Sequence, residues 1–394
     1  MNKYSAVALL ILFAGPAYAA SPGKDFKTLF TFNDSNGANP VSDLLADESG
    51  TLYGTAKTGG PANAGIVFSL APNRTQTTLY SFTGGSDGNQ PNSALTEDSQ
   101  GNFYGTAGGG GASNDGVVFK IAPDGTETVL HSFAGGSTDG GYPVGGVVID
   151  KKGILHGVTA DGGPSNDGVV YELHPSGKYK VLHFFAGGAA DGALPLSGVI
   201  QDKTGDLYGT TAEGGFAANW APPCCGTVYE VTSDGTFKLL HSFQYGLDGA
   251  EPESPPILDA SGNLYGATLV GGNANDAGFG VLYKITSEGA ESVVHSFAGW
   301  PSDGASPLSA LTWDKKGNLY GTATVGGAND YGVVFQLAPN GTETVLYSFS
   351  ETDGVTPYGG LISNKALGGA LYGTTSGYFC PNCNTYGSIY KISE

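Results

Sequence analysis

Asp161 and Glu213 stand 52 residues apart, and an interval near 52 recurs along the whole chain. Each follows an aromatic-type anchor by five residues, His156 and Tyr208 respectively. Glu251 and Glu253 come next, on either side of Pro252. Carboxylates that share a site raise one another's pKa, so one can keep a proton while another acts as base. That is the chemistry of glycoside hydrolysis. Trp220 and Trp300 break the local pattern nearby, and flat apolar rings beside hydrogen-bond acceptors suit a sugar. Asp161 and Glu213 are therefore the candidate catalytic pair. Glu251, Glu253, His156, Trp220 and Trp300 are candidate ligand-binding residues. The plain alternative is solvated surface, since the chain holds 36 Asp and Glu and scatters them over its loops.

Whether these residues meet depends on the repeat that carries them. The anchor falls at Tyr53, Tyr104, His156, Tyr208, Tyr265, Tyr320 and Tyr372, which makes seven copies. In the second copy the strand-like pieces are a (93–97), b (102–106), c (117–121) and d (128–133). A Gly-Gly loop joins b to c, and Pro123-Asp124-Gly125 suits a hairpin turn between c and d. Four antiparallel strands per copy is the unit of a β-propeller blade. Residues 28–32 match piece d with no a, b or c before them, and residues 388–392 match piece c with no d after them. The expected fold is therefore all-β: a seven-bladed propeller closed by the N-terminal strand joining the last blade. A β-solenoid or a pair of sandwiches are the alternatives. In a propeller the b–c and d–a loops share one face around the central channel. Asp161, Glu213, Glu251 and Glu253 then fall on that face in blades 3 to 5.

The run Leu-Tyr-Gly-Thr, Gly-Gly, Gly-x-Val-Phe, Leu-His-Ser-Phe and Asp-Gly-x-x-Pro resembles the GloVer tandem-repeat family over residues 27–392. The resemblance implies a bacterial, exported protein. Many members add a C-terminal surface anchor, and this chain departs from them by stopping at Glu394. The resemblance brings no established activity.

The composition agrees. Sixty-six glycines fit many tight turns, and 13% charged residues are too few for a helical bundle or coiled coil. A net charge of −19 without a Lys/Arg cluster argues against nucleic acid and anionic membranes as partners. Residues 1–19 read as a secretory signal peptide, with Lys3, an apolar run and Ala17-Tyr18-Ala19. Residues 20–394 then form a single propeller domain, periplasmic or secreted, with no transmembrane segment and expected to be a monomer. In an oxidising compartment Cys224-Cys225 and Cys380-Pro381-Asn382-Cys383 read as local disulfides. No cofactor is expected. Calcium in the repeated Asp-Gly loops is an alternative weakened by the single carboxylate at each repeated position. His131, His183, His241 and His295 share one position of strand d and read as half-exposed edge residues. The functional expectation is a module that binds a glycan or cell-envelope partner through the b–c/d–a face. The alternatives are a glycoside hydrolase or polysaccharide lyase, and an envelope scaffold for protein partners.

Overall fold

Leu, Val, Ile, Tyr and Phe alternate with small or polar residues in each copy, and each copy folds into one twisted antiparallel sheet. The computed structural model describes residues 25–215, 225–273, 278–363, 366–377 and 386–393. Blade 3 shows the pattern: strand a is Val148–Ile149, b is Leu155–Thr159, c is Val169–Leu173 and d is Tyr179–Phe184, paired in that order. Seven such sheets form a seven-bladed propeller. Blade 7 combines Leu371–Thr375 and Ser388–Ser393 with the N-terminal strand Asp25–Thr31. Thr28 lies opposite Tyr390, and Thr31 opposite Ser388. The first strand of the chain thus finishes the last blade and closes the ring.

Strand a is shorter than its apolar run suggests, pairing with b over only two residues. The reason is crowding near the axis. A Cβ on Gly145 would run into the backbone of Gly198 in the next blade. Strand-b threonines tie one blade to the next: Thr55 Oγ1 donates to Ser93 O and Thr210 Oγ1 to Ser254 O, both at 3.0 Å. At the mouth the residue after each b–c loop is a glycine with φ between +88° and +98°, such as Gly226 and Gly387. A side chain there would also strike the proline that begins the next blade, Pro252 or Pro40. Glycine is required at this joint for both reasons.

The outer rim holds a feature that the repeat did not disclose. The strand-d histidines are partly buried, and each contacts the aspartate of its own Asp-Gly loop. His183 Nε2 lies 3.1 Å from Asp191, and His295 Nε2 lies 3.3 Å from Asp303. A residue at the start of the next blade's strand d then reaches back over the pair. Tyr179 stacks on His131 at 4.1 Å, Phe237 on His183 at 3.8 Å and Phe26 on Tyr347 at 4.0 Å. At three other rim joints a carboxylate takes that place, Glu127 near Asp87, Glu291 near Asp248 and Glu343 near Asp303, and at the seventh the residue is Gln76.

These carboxylates give stability a defined pH dependence. Burial, with the neighbouring aspartate adding to it, pushes Glu127 and Glu343 up to about 7. A carboxyl whose folded pKa exceeds its unfolded value favours the fold below that unfolded value. This contribution is lost as pH rises from about 4.5 towards 7. Asp47, Asp98, Asp259 and Asp314 oppose it at the acid end. Burial would raise them, but hydrogen bonds from their own turns hold them below the usual range. Their contribution is lost below about 4. The melting temperature should therefore peak near pH 5 and fall towards pH 8. Glu127→Gln with Glu343→Gln should flatten the fall between 5 and 8, and calorimetric scans across pH would show an unchanged slope if the rim carboxylates are not its source.

Candidate functional site

The d–a loops position the mouth. In each blade the residue before the leading proline is left-handed and is never glycine: Asn39, Gln90, Tyr142, Leu194, Glu251, Ser306 and Thr356, with φ between 54° and 59°. Seven non-glycine residues in this region are a costly choice, above all the β-branched Thr356. The backbone explains how they are held. Each N–H donates to the carbonyl just before the glycine joint of the preceding blade, as Glu251 does to Cys225 O at 2.8 Å and Leu194 to Asp167 O at 2.9 Å. The carbonyl side bonds the b–c loop of the same blade, as in Leu269 N to Glu251 O at 3.0 Å. The conformation is thus identical in all seven blades while the side chain differs in all seven.

Along the following residues every second side chain is half-buried and the alternate ones are buried. Glu251 and Glu253 share the half-buried set, with Pro252 and Ser254 on the other side. Burial raises both carboxyls. Glu253, with Glu251 adding to the effect, reaches about 7. Two residues farther along the strand from Val41, the equivalent of Glu253, stands Asp43, where the other blades carry Ala94, Gly146, Gly198, Pro255, Ala310 and Gly360. Its Oδ1 accepts the Gly360 N–H at 2.5 Å, and burial raises its carboxyl despite that bond. Lys57 is likewise the only charged residue at its position, opposite Gly108, Ala160, Ala212, Leu269, Thr324 and Ser376, and burial lowers its ammonium pKa. The same comparison across copies that selected Glu251 would have selected Asp43 and Lys57.

Asp161 and Glu213 occupy equivalent places in blades 3 and 4. Each sits on a two-residue ladder between the b–c and d–a loops, Asp161 opposite Gly141 and Glu213 opposite Ala193. Asp115 of blade 2 joins Asp161: both Cβ atoms approach the open side of Gly141. Burial first, then Asp161 and Asp139, raise the Asp115 carboxyl. Asp115 also escaped the sequence reading, although its position varies as Ala64, Asp115, Asp167, Cys225, Phe279, Tyr331 and Tyr386. That ring is acidic in blades 2 and 3 and aromatic in blades 5 to 7. Phe279 is 45% exposed and Tyr386 41%. Trp300, 46% exposed, follows Gly299, whose open side faces the Phe279 ring.

His156 does not join this group. It is the second residue of strand b, with Nε2 3.9 Å from Asp150 Oδ2 in the a–b turn. Five residues of strand, about 16 Å, separate it from Asp161. Burial lowers its pKa, and neither ring nitrogen has a hydrogen-bond partner. It substitutes for a tyrosine that in blades 1, 2 and 6 bonds the a–b turn aspartate, as Tyr104 does Asp98 at 3.0 Å. Trp220, Cys224, Cys380 and Cys383 lie outside the described residues. Cys225 is fully buried where Glu251 docks, and no free thiol occurs among the described residues. The Asp-Gly loop carboxylates accept their own loop N–H groups, as Asp303 does from Ala298 at 2.8 Å and Gly304 at 2.6 Å. Among the described residues one group brings metal-type ligand atoms within 4.8 Å of one another, His295, Asp303 and Glu343 at the rim. No helix there is long and apolar enough to cross a membrane.

Solved structures of similar shape include a streptogramin B lyase (TM-score 0.58, 13% identity, 94% of this chain and 97% of that one). The virginiamycin B lyase of Staphylococcus aureus is similar too (TM-score 0.59, 12% identity, 94% and 100%). At such identities the likeness establishes the fold alone. No curated protein matches. The Gloeobacter/Verrucomicrobia repeat matches residues 14–221 and 205–394, overlapping and reaching the last residue. This chain belongs to that repeat family.

Proposed function

We propose that the chain is an exported propeller that binds a glycan or another cell-envelope component at the mouth formed by its b–c and d–a loops. The observation that carries this reading is the ring of seven left-handed, non-glycine residues with seven different side chains. A purely structural ring would use glycine, which takes this conformation without strain. Around it lie acids in blades 2 to 5 (Asp115, Asp161, Glu213, Glu251, Glu253) and exposed aromatics in blades 5 to 7 (Phe279, Trp300, Tyr386). Sugars need both kinds of surface. Residues 1–19 serve as the export signal, and the paired cysteines Cys224-Cys225 and Cys380/Cys383 close local disulfides in the oxidising compartment. A glycan array probed with the chain from residue 20 onward tests the reading. Binding should fall at least tenfold in Phe279→Ala and in Glu251→Gln with Glu253→Gln. An array silent for the wild type, with capture of a protein partner only, would sink it.

The rise of the Glu253 carboxyl to about 7 by burial beside Glu251 favours a second reading, an acid–base enzyme acting on a polysaccharide. In that case Glu253 or the Asp161/Glu213 pair supplies the acid and base. Asp161→Asn and Glu213→Asn or Gln would then abolish product formation with binding retained, and no turnover on a polysaccharide panel removes the enzyme reading.

A further inference from the structure

The face opposite the mouth carries a feature that the binding reading does not use. A cavity of about 420 Å³ lies at the seam between blades 7 and 1, in the size range of small-ligand sites. Its walls include Lys27, Arg74 and Lys391, and no carboxylate among the described residues. The chain has 17 Lys and Arg against 36 Asp and Glu, so three cations around one cavity with no acid is far from what its composition favours.

Arg74 departs from every equivalent position, and Lys27 with Lys391 is the one copy that sets two lysines against each other. Arg74 is the only arginine in the sequence. It ends the c–d turn of blade 1, where blades 2 to 6 have Gly125, Gly177, Gly235, Gly289 and Gly341, all with φ between 82° and 89°. Arg74 takes that left-handed conformation too, at φ 68°, and accepts strain that glycine avoids. Lys27 and Lys391 face each other directly across strands d and c of blade 7. The same pairing is Glu172 with Lys180 in blade 3, at 3.5 Å, and Glu230 with Lys238 in blade 4, at 3.2 Å. Like charges directly opposite each other oppose strand pairing. Lys391 rests over the Tyr372 ring at 5.7 Å, but neither lysine has a carboxylate partner among the described residues. The remaining walls are largely aliphatic, with Leu29, Leu52, Leu70, Pro72 and Leu367.

We infer that this seam cavity is a binding site for a small organic anion with an apolar body. The anionic group sits among Arg74, Lys27 and Lys391, where it relieves the facing lysines, and the apolar part lies against the leucines. Arg74 offers a planar, forked set of donors that matches carboxylate, sulfonate or phosphate oxygens. Because the site joins the closing strand to blade 1, its ligand also clasps the ring. Binding to the folded state alone must raise stability.

Titration calorimetry with sodium 1-hexanesulfonate, sodium sulfate and hexan-1-ol tests the inference. The hexanesulfonate should bind one to one, sulfate at least tenfold more weakly, and the alcohol without detectable heat. Arg74→Gly installs the residue that the other turns already use, so it should fold with an equal or higher melting temperature and bind hexanesulfonate at least tenfold more weakly. Lys391→Glu recreates the Glu–Lys pair of blades 3 and 4. It should raise the melting temperature without ligand and abolish binding. Lys316→Ala, on the exposed a–b turn of blade 6, should change neither. Hexanesulfonate affinity within threefold of wild type in Arg74→Gly, or no heat with the wild-type protein, would overturn the site. Sulfate binding as tightly as hexanesulfonate would overturn its apolar half.

Discussion

A chain beginning at residue 33 will not fold cooperatively. Strand Asp25–Thr31 is the outer strand of blade 7, and without it Ser388–Ser393 loses a whole ladder of pairing. The deletion also removes Phe32, buried against Phe68 of blade 1 at a ring distance of 5.2 Å, and Phe26, stacked on Tyr347 of blade 6. The lost strand therefore touches three blades. Burying one such phenylalanine contributes about 1.5–3 kcal/mol. Losing two, with Leu29, Phe30 and the ladder, takes away most of the roughly 5–15 kcal/mol that keeps a domain folded. Urea unfolding followed by tyrosine fluorescence should show a shallow, early transition in place of a sharp one. A synthetic peptide of residues 25–33 added in trans should restore the sharp transition. A truncated chain with the full-length midpoint would show that the ring does not depend on this closure.

Replacing four buried tyrosines by phenylalanine should stabilise the protein. Strand c carries Tyr171, Tyr229, Tyr283 and Tyr390 in blades 3, 4, 5 and 7, and Phe68, Phe119 and Phe335 in blades 1, 2 and 6. All seven rings are fully buried at the same place. The four hydroxyls have no hydrogen-bond partner and crowd against the strand-b glycines, Gly157, Gly209, Gly266 and Gly373. A buried unpaired hydroxyl costs about 1–3 kcal/mol. Each Tyr→Phe change should therefore add about 1 kcal/mol, and the sites are far enough apart for the gains to sum. The quadruple variant should unfold at distinctly higher urea with an unchanged m-value. A lower midpoint would mean that each hydroxyl is bonded to an enclosed water, and that the tyrosine blades carry a polar core of their own.

The architecture was legible because period and phase are written in every copy. Seven anchors, four apolar pieces per copy and complementary ends specify blade number, strand order and closure without any contact being known. What resisted reading was the relation between blades. Nothing in the position of Glu343 within its own copy says that it reaches back to Asp303 and His295, because that contact depends on the ring's curvature. The strand-d histidines looked half-exposed for the same reason. His156 shows a different loss. A substitution in strand b marks a blade, but only the direction of the strand decides whether it stands at the mouth or at the a–b turn. Asp43, Lys57 and Asp115 are legible in the sequence in the same way as Glu251, as charged residues whose positions carry other types in most copies. Arg74 and the facing lysines needed both halves, a repeat to make them anomalous and a fold to bring them together.

The seven left-handed residues before proline have an implication for change over time. Their backbone bonds run through N–H and C=O groups that every non-proline residue possesses, so the bonds that hold the turn do not depend on the side chain. Amide, phenol, aliphatic, acid and hydroxyl groups already occupy the position in this one chain. Substitution at the six half-buried positions should leave folding largely intact while rewriting the surface there, whereas Thr356, 3% exposed, belongs to the packing. Such a molecule can diversify what it recognises without revisiting how it folds, much as hypervariable loops do on a fixed immunoglobulin frame. Randomising the seven codons and sorting for folded chains would measure how free that alphabet is.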